Sequence, residues 1–166
     1  MSDRAIEAIK GAILLERRGQ AFYRKVAAAT DSKAVEEVFA TMADEEMRHE
    51  EVLEKHYSSL VSQGKLAALK DLGQVEDHSD ETLTARVREE IDAASYEAAA
   101  ISAAMGLEKE AEAFYAKNRD RAESDLERDL YDWLARWEHG HMEMLADMDR
   151  ALQEEIWFEN RFWPEI

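Results

Sequence analysis

Glu138-His139-Gly140-His141, read together with the earlier Glu46-Met47-Arg48-His49, sets the fold of this chain of 166 residues. In each stretch a carboxylate and an imidazole stand three residues apart, so on a helix both side chains leave the same face about one turn apart. One such pair is half of a metal site and by itself is weak evidence in a Glu-rich chain. The spacing around the pairs is stronger evidence. The two motif glutamates lie 138 − 46 = 92 residues apart, and the same offset relates Glu16 to Glu108, Phe22-Tyr23 to Phe114-Tyr115, Ser32 to Ser124, Ala43 to Ala135 and Leu53 to Leu145 without a gap. The chain reads as a duplicated two-helix unit, with Glu-x5-Phe-Tyr on the first helix of each copy and Glu-x-x-His on the second.

Taken alone, Glu16 and Glu108 would be solvated helix carboxylates, because Glu favours helices and is almost never buried without a partner. Their neighbours argue otherwise. Glu16 follows Ile13-Leu14-Leu15 and precedes Phe22, and Glu108 follows Met105-Gly106-Leu107, so each lies on or beside an apolar stripe where an unpaired charge is costly. Four carboxylates and two imidazoles on such faces make sense around cations.

Composition narrows the partners. The balance of 21 Lys and Arg against 38 Asp and Glu leaves a net charge of −17, which excludes nucleic acid as a first expectation, since phosphate backbones need basic residues. An acidic surface suits a protein that attracts cations. Cysteine is absent, so disulfides, thiolate metal sites and Cys nucleophiles are ruled out. No stretch approaches the roughly 20 uncharged apolar residues of a membrane span, and the first residues carry no secretory pattern, so a cytoplasmic location is expected.

One Pro, six Gly and a richness in Ala, Glu and Leu predict an all-α chain. A first long helix is expected from Ser2 or Asp3 to about Ala29, and a second from about Lys33 to Leu60 or Val61, capped by Thr30-Asp31-Ser32. The pattern breaks from Ser62 to Ser79, a long crossover that continues through a helical Glu81 to Ile91 and is expected to set the third long helix parallel to the first. That helix should start between Asp92 and Ser95 and reach about Ala122. The fourth opens on Ser124-Asp125-Leu126-Glu127, a capping box, and runs to about Glu155. The expected organisation is a bundle over residues 1–155, with an internal repeat of 6–61 and 98–153, and an aromatic tail over 156–166 that packs back on the bundle or docks on another subunit. Trp133 and Trp137 read as filler of the core or an interface. His56 reads as partly exposed or hydrogen-bonded, His78 as a loop residue, and His139 as turned about 100° from Glu138 and so no ligand.

One Glu from each of the first and third helices, plus a Glu-x-x-His from each of the second and fourth, is the ligand pattern of di-iron and di-manganese carboxylate bundles. Over Ile6 to Met148 the chain resembles the rubrerythrin and erythrin branch of the ferritin-like superfamily, through Leu15-Glu16-x5-Phe22-Tyr23, Ala43-Asp44-Glu45-Glu46-x2-His49 and Glu138-x2-His141. The resemblance implies a ferritin-like four-helix bundle in which Glu16 caps one metal and Glu108 the other. Glu46 and Glu138 would bridge, and His49 and His141 would each give one nitrogen. Four carboxylates cancel the charge of two divalent ions, and an oxygen-rich set suits iron or manganese, with zinc as a substitute, better than the sulfur sites usual for structural zinc. Tyr23 and Tyr115 look like hydrogen-bond donors to the ligands or radical traps, with plain core tyrosines as the alternative.

Two departures from the family pattern shift the expected activity. Rubrerythrins proper carry a four-Cys rubredoxin module, absent here, and a further carboxylate three residues after the third-helix ligand, where this chain has Ala111 with Glu110 and Glu112 off register. Ferroxidase-like oxidation of Fe(II) by O2 or peroxide is therefore expected, in iron handling or defence against oxidative stress, with an external electron donor and a homodimeric state. The alternatives are a non-catalytic iron-binding or scaffold protein and a di-manganese catalase-like enzyme.

Overall fold

The computed structural model describes residues 3–67 and 81–159, with side chains up to 154, and holds five helices among them: α1 Asp3–Ala29, α2 Lys33–Gln63, α3 Glu81–Glu90, α4 Tyr96–Asp120 and α5 Asp125–Glu159. Serine caps start three of them. Ser32 Oγ accepts from Val35 N–H at 3.1 Å, Ser95 Oγ from Ala98 N–H at 3.2 Å and Ser124 Oγ from Glu127 N–H at 3.2 Å, each satisfying a donor that helix geometry leaves unmet. Helix α2 runs to Gln63, a little past the expected Leu60 or Val61, and ends there because Gly64, at φ 68°, takes the left-handed conformation and returns its N–H to Leu60 C=O at 3.0 Å. Helix α4 stops at Asp120, short of the expected Ala122, and α5 carries on past Glu155 to Glu159. Most of the aromatic tail, and His78, fall outside the described residues.

The capping box at α5 is modified. Glu127 reaches back to the N–H of Glu123 at 2.8 Å rather than to that of Ser124, and its other oxygen accepts from Arg4 Nη2 at 2.7 Å, although only 2% of its side chain is exposed. The start of α1 is thereby pinned to the start of α5. Arg4→Ala should cost about 1–3 kcal/mol, the penalty of stranding a buried acceptor, as read in urea unfolding. A loss below the error of that measurement would mean that Glu127 reaches water without it.

Contacts along the helices give their directions. Thr30, just past the end of α1, donates from Oγ1 to Glu97 in the first turn of α4 at 3.0 Å, and a Cβ added at Gly11 would meet Phe114, far down α4. Helices α1 and α4 are therefore antiparallel, which corrects the expected parallel arrangement. The physical reason lies in the crossover, which carries the chain back along the bundle so that α4 starts where α2 starts. Glu90, at the end of α3, shows the return: it accepts from Ser32 Oγ at 2.8 Å and Ala34 N–H at 2.9 Å at the α2 N-terminus, where a carboxylate is favoured and its pKa is lowered by these bonds. With α1 packed mainly on α2 and α4 on α5, the two hairpins face each other head to tail.

Apolar side chains fill both ends of this arrangement. Tyr23, Phe39, Met42, Ile101, Leu145 and Met148 belong to one cluster, and Ala12, Leu53, Tyr115, Tyr131 and Leu134 to a second. The polar motif residues lie between them. His56 departs from its expected partial exposure: it is buried, its Nδ1 meets no hydrogen-bond partner, and burial first, then Lys55, lowers its pKa. Burial therefore favours its neutral ring. No described helix is long and apolar enough to cross a membrane.

Candidate metal centre

The six motif residues, scattered over 126 positions from Glu16 to His141, converge in the middle of the bundle, none more than 3% exposed. Helical spacing delivers Glu46 with His49 and Glu138 with His141, and the head-to-tail hairpins bring the two pairs face to face. The imidazole rings stack at 6.2 Å with 27° between their planes. His49 Nδ1 is 3.3 Å from Glu16 Oε2, 3.2 Å from Glu46 Oε2 and 3.5 Å from Glu138 Oε1. His141 Nδ1 is 3.5 Å from Glu108 Oε1, 3.8 Å from Glu46 Oε1 and 3.6 Å from Glu138 Oε2. Glu46 and Glu138 thus turn one oxygen to each imidazole, whereas Glu16 and Glu108 each serve one. Two overlapping four-donor groups result: Glu16, Glu46, His49 and Glu138, and Glu46, Glu108, Glu138 and His141.

The donor set fits a pair of divalent ions. Both oxygens of Glu138 are fully buried without a hydrogen bond, a costly arrangement for a carboxylate unless a cation completes it. The ion-pair distances above leave the oxygens and nitrogens converging on common points rather than paired off among themselves.

Protonation in the metal-free protein follows from the crowding. Burial opposes a charged His49 ring, but the facing carboxylates of Glu16 and Glu138 outweigh it and hold its pKa at about 10. His141 is raised in the same sense, with Glu108, Glu138 and Glu45 overcoming burial. Burial and the charge of Glu138 push Glu108 up to about 8, and burial with Glu138 and Glu16 raises Glu46. Glu138 goes the other way: burial would raise it, but the two histidines prevail and keep it ionised.

Around the donors the two halves cross over. The Tyr23 hydroxyl on α1 donates to Glu108 on α4, and the Tyr115 hydroxyl on α4 donates to Glu16 on α1. Burial, then the charge of the partnered glutamate, keeps both phenols protonated well above their usual pKa, so they act as fixed donors. Antiparallel packing explains why each tyrosine serves the other half's carboxylate. Glu45, which the sequence reading passed over, is also buried and lies 2.7 Å from His141 Nε2. Its only sequence signal was a carboxylate one turn before His49 in the run Asp44-Glu45-Glu46, indistinguishable there from a solvated face. His139 is exposed, 3.2 Å from Glu112 and 3.5 Å from Glu143, and takes no part in the centre, in keeping with its sequence reading.

A cavity of about 110 Å³ opens onto the cluster between α1 and α4. Glu16, Gly19, Tyr23, Glu46, Glu108, Ala111 and Glu138 line it, with Arg18 and Glu110 exposed at its rim. Gly19 and Ala111 are counterparts at the 92-residue offset, and a Cβ added at Gly19 would stand 3.4 Å from Glu46 Oε1. The small residue at 111, where the family pattern carries a carboxylate, is part of what leaves this space open.

A solved structure of a hypothetical protein from Pyrococcus furiosus is similar to this one over 91% of each chain, with a TM-score of 0.65 at 23% sequence identity, a likeness of fold. No curated protein matches the chain. Residues 7–149 match the rubrerythrin family, a span that holds all six candidate ligands, both tyrosines and Glu45. With its helical fold, its paired Glu-x-x-His motifs and a buried donor set that fits a di-metal centre, the chain belongs to the rubrerythrin family.

Proposed function

We propose that the protein binds two iron ions per chain and oxidises Fe(II) with O2 or peroxide, in iron handling or defence against oxidative stress. The observation that supports this most is the pair of carboxylates, Glu46 and Glu138, each offering one oxygen to either imidazole. Bound iron would supply one-electron redox chemistry that no side chain provides. The chain's own contribution is geometric and electrostatic. Glu16 and Glu108 hold the outer positions, and Tyr23 and Tyr115 fix their orientation by donating to one oxygen each. The apolar clusters on either side exclude water, and the cavity beside Gly19 and Ala111 admits a small molecule from solvent. Electrons for repeated turnover come from a donor outside these 166 residues, which hold no cysteine for a second iron site of the rubredoxin type.

Anaerobic titration with Fe(II), followed by exposure to O2 or peroxide, tests the reading. Two iron ions per chain should bind and oxidise, and Glu46→Ala should lose both properties. Full oxidation by Glu46→Ala would overturn it. Oxidation that stops after one equivalent in the presence of a reductant would favour an iron-binding protein without turnover.

The cavity gives a separate prediction. Ala111→Phe should slow oxidation markedly while Co(II) uptake still reaches two ions per chain, because the added ring fills the space without removing a donor. Unchanged oxidation kinetics would show that the oxidant arrives by another route.

A further inference from the structure

The two halves differ at a position that touches the centre. Glu45 and Trp137 are counterparts at the 92-residue offset. Glu45 Oε2 lies 2.7 Å from His141 Nε2, with both residues buried, and His141 Nδ1 faces the donor cluster, so Nε2–H donates to the Glu45 carboxylate. Trp137 packs edge-on against both rings, at 5.3 Å from His49 and 6.1 Å from His141, and Trp133 against His49 at 5.4 Å, so Glu45 is the feature that sets the two histidines apart. An indole N–H only donates, so Trp137 cannot accept a proton from imidazole as Glu45 does. In kind, the donors of the two groups are otherwise identical: one outer glutamate, two shared glutamates and one histidine.

We propose that Glu45, hydrogen-bonded to His141, makes the two metal positions inequivalent, so that the position served by His141 and Glu108 fills first and holds its ion more tightly. This rests on the dinuclear reading above. A charge-assisted bond to the far nitrogen fixes the ring's tautomer and orientation and makes Nδ1 a better donor. The carboxylate also adds negative charge close to the cation in a site closed to water, where charges are poorly screened. The His49 position has the same inner donors with two indoles behind its ring. Glu45 is a positioning residue, acting on the metal through His141.

The test is Zn(II) titration of the metal-free full-length protein, followed by calorimetry and by nuclear magnetic resonance with 15N-labelled histidine. At one equivalent the His141 ring signals should move to their bound positions while those of His49 stay close to their metal-free ones. The first calorimetric step should be about 10–100-fold tighter than in Glu45→Gln, the usual effect of losing such an outer partner. In that variant the second step should not move, which a merely structural role for Glu45 would not produce. His49 filling first, both rings responding together, or Glu45→Gln weakening both steps alike would overturn the proposal and leave the dinuclear reading standing. No zinc uptake at all would overturn the dinuclear reading and, with it, this one.

Discussion

Loading the metal-free protein with a divalent ion is expected to raise its unfolding midpoint by roughly 10–20 °C, at free metal about 100 times the dissociation constant. An ion that binds only the folded chain contributes about 2.7 kcal/mol at that concentration, and two contribute about 5 kcal/mol. In a domain of this size each kcal/mol moves the midpoint by about 2–4 °C. The donors exist only in the folded state, since they come from four helices, so the unfolded chain offers no comparable site. Calorimetric scans with Co(II) or with a chelator measure the shift. Glu138→Ala should abolish most of it, because that carboxylate faces both imidazoles. A midpoint unmoved by any divalent ion would remove the metal from the account altogether.

Metal affinity should rise steeply with pH, by about a hundredfold per unit through the mildly acidic range, because at least two protons must leave for the ions to enter. The metal-bound form needs a neutral His49 and an ionised Glu108, whereas the metal-free protein holds protons on both, with pKa values of about 10 and about 8. The slope flattens as pH climbs through about 8, where Glu108 gives up its proton unaided. Stability of the metal-free fold should run the opposite way. Both pKa values are raised above their ordinary 6.5 and 4.5, so the folded chain binds the protons more tightly than the unfolded one. That contribution is fully present below the ordinary values and fades as pH climbs through about 8 and then about 10. Titrations at several pH values with a weak dye as proton indicator measure both the slope and the released protons. Uptake without proton release would show that the donors are already stripped in the metal-free state.

The six candidate ligands stand out in the sequence because they recur at one common offset. Glu16 and Glu108 look like surface residues one at a time, and only the shared offset with the Glu-x-x-His pairs marks them. Most helix boundaries were legible for a local reason: serine caps and Gly64 act within one turn of the residues they terminate. Glu45 does not stand out in the sequence because burial is not a local property. Glu45 lies against a histidine 96 positions away, whereas His56 shares its helix face with the buried Leu53 and Leu60.

Sequence alone determined that the chain is helical and that the same acidic and imidazole side chains recur at helical spacing 92 residues apart. These are properties of neighbours along the chain, written in periodicity. Tertiary structure alone decided that the hairpins meet head to tail, that each tyrosine holds the opposite half's glutamate, and that His141 is backed by a carboxylate that His49 lacks. An offset of 92 says which residues correspond but not which way their helices run. Direction is set by the crossover and by the packing of apolar faces, through contacts between residues far apart in sequence.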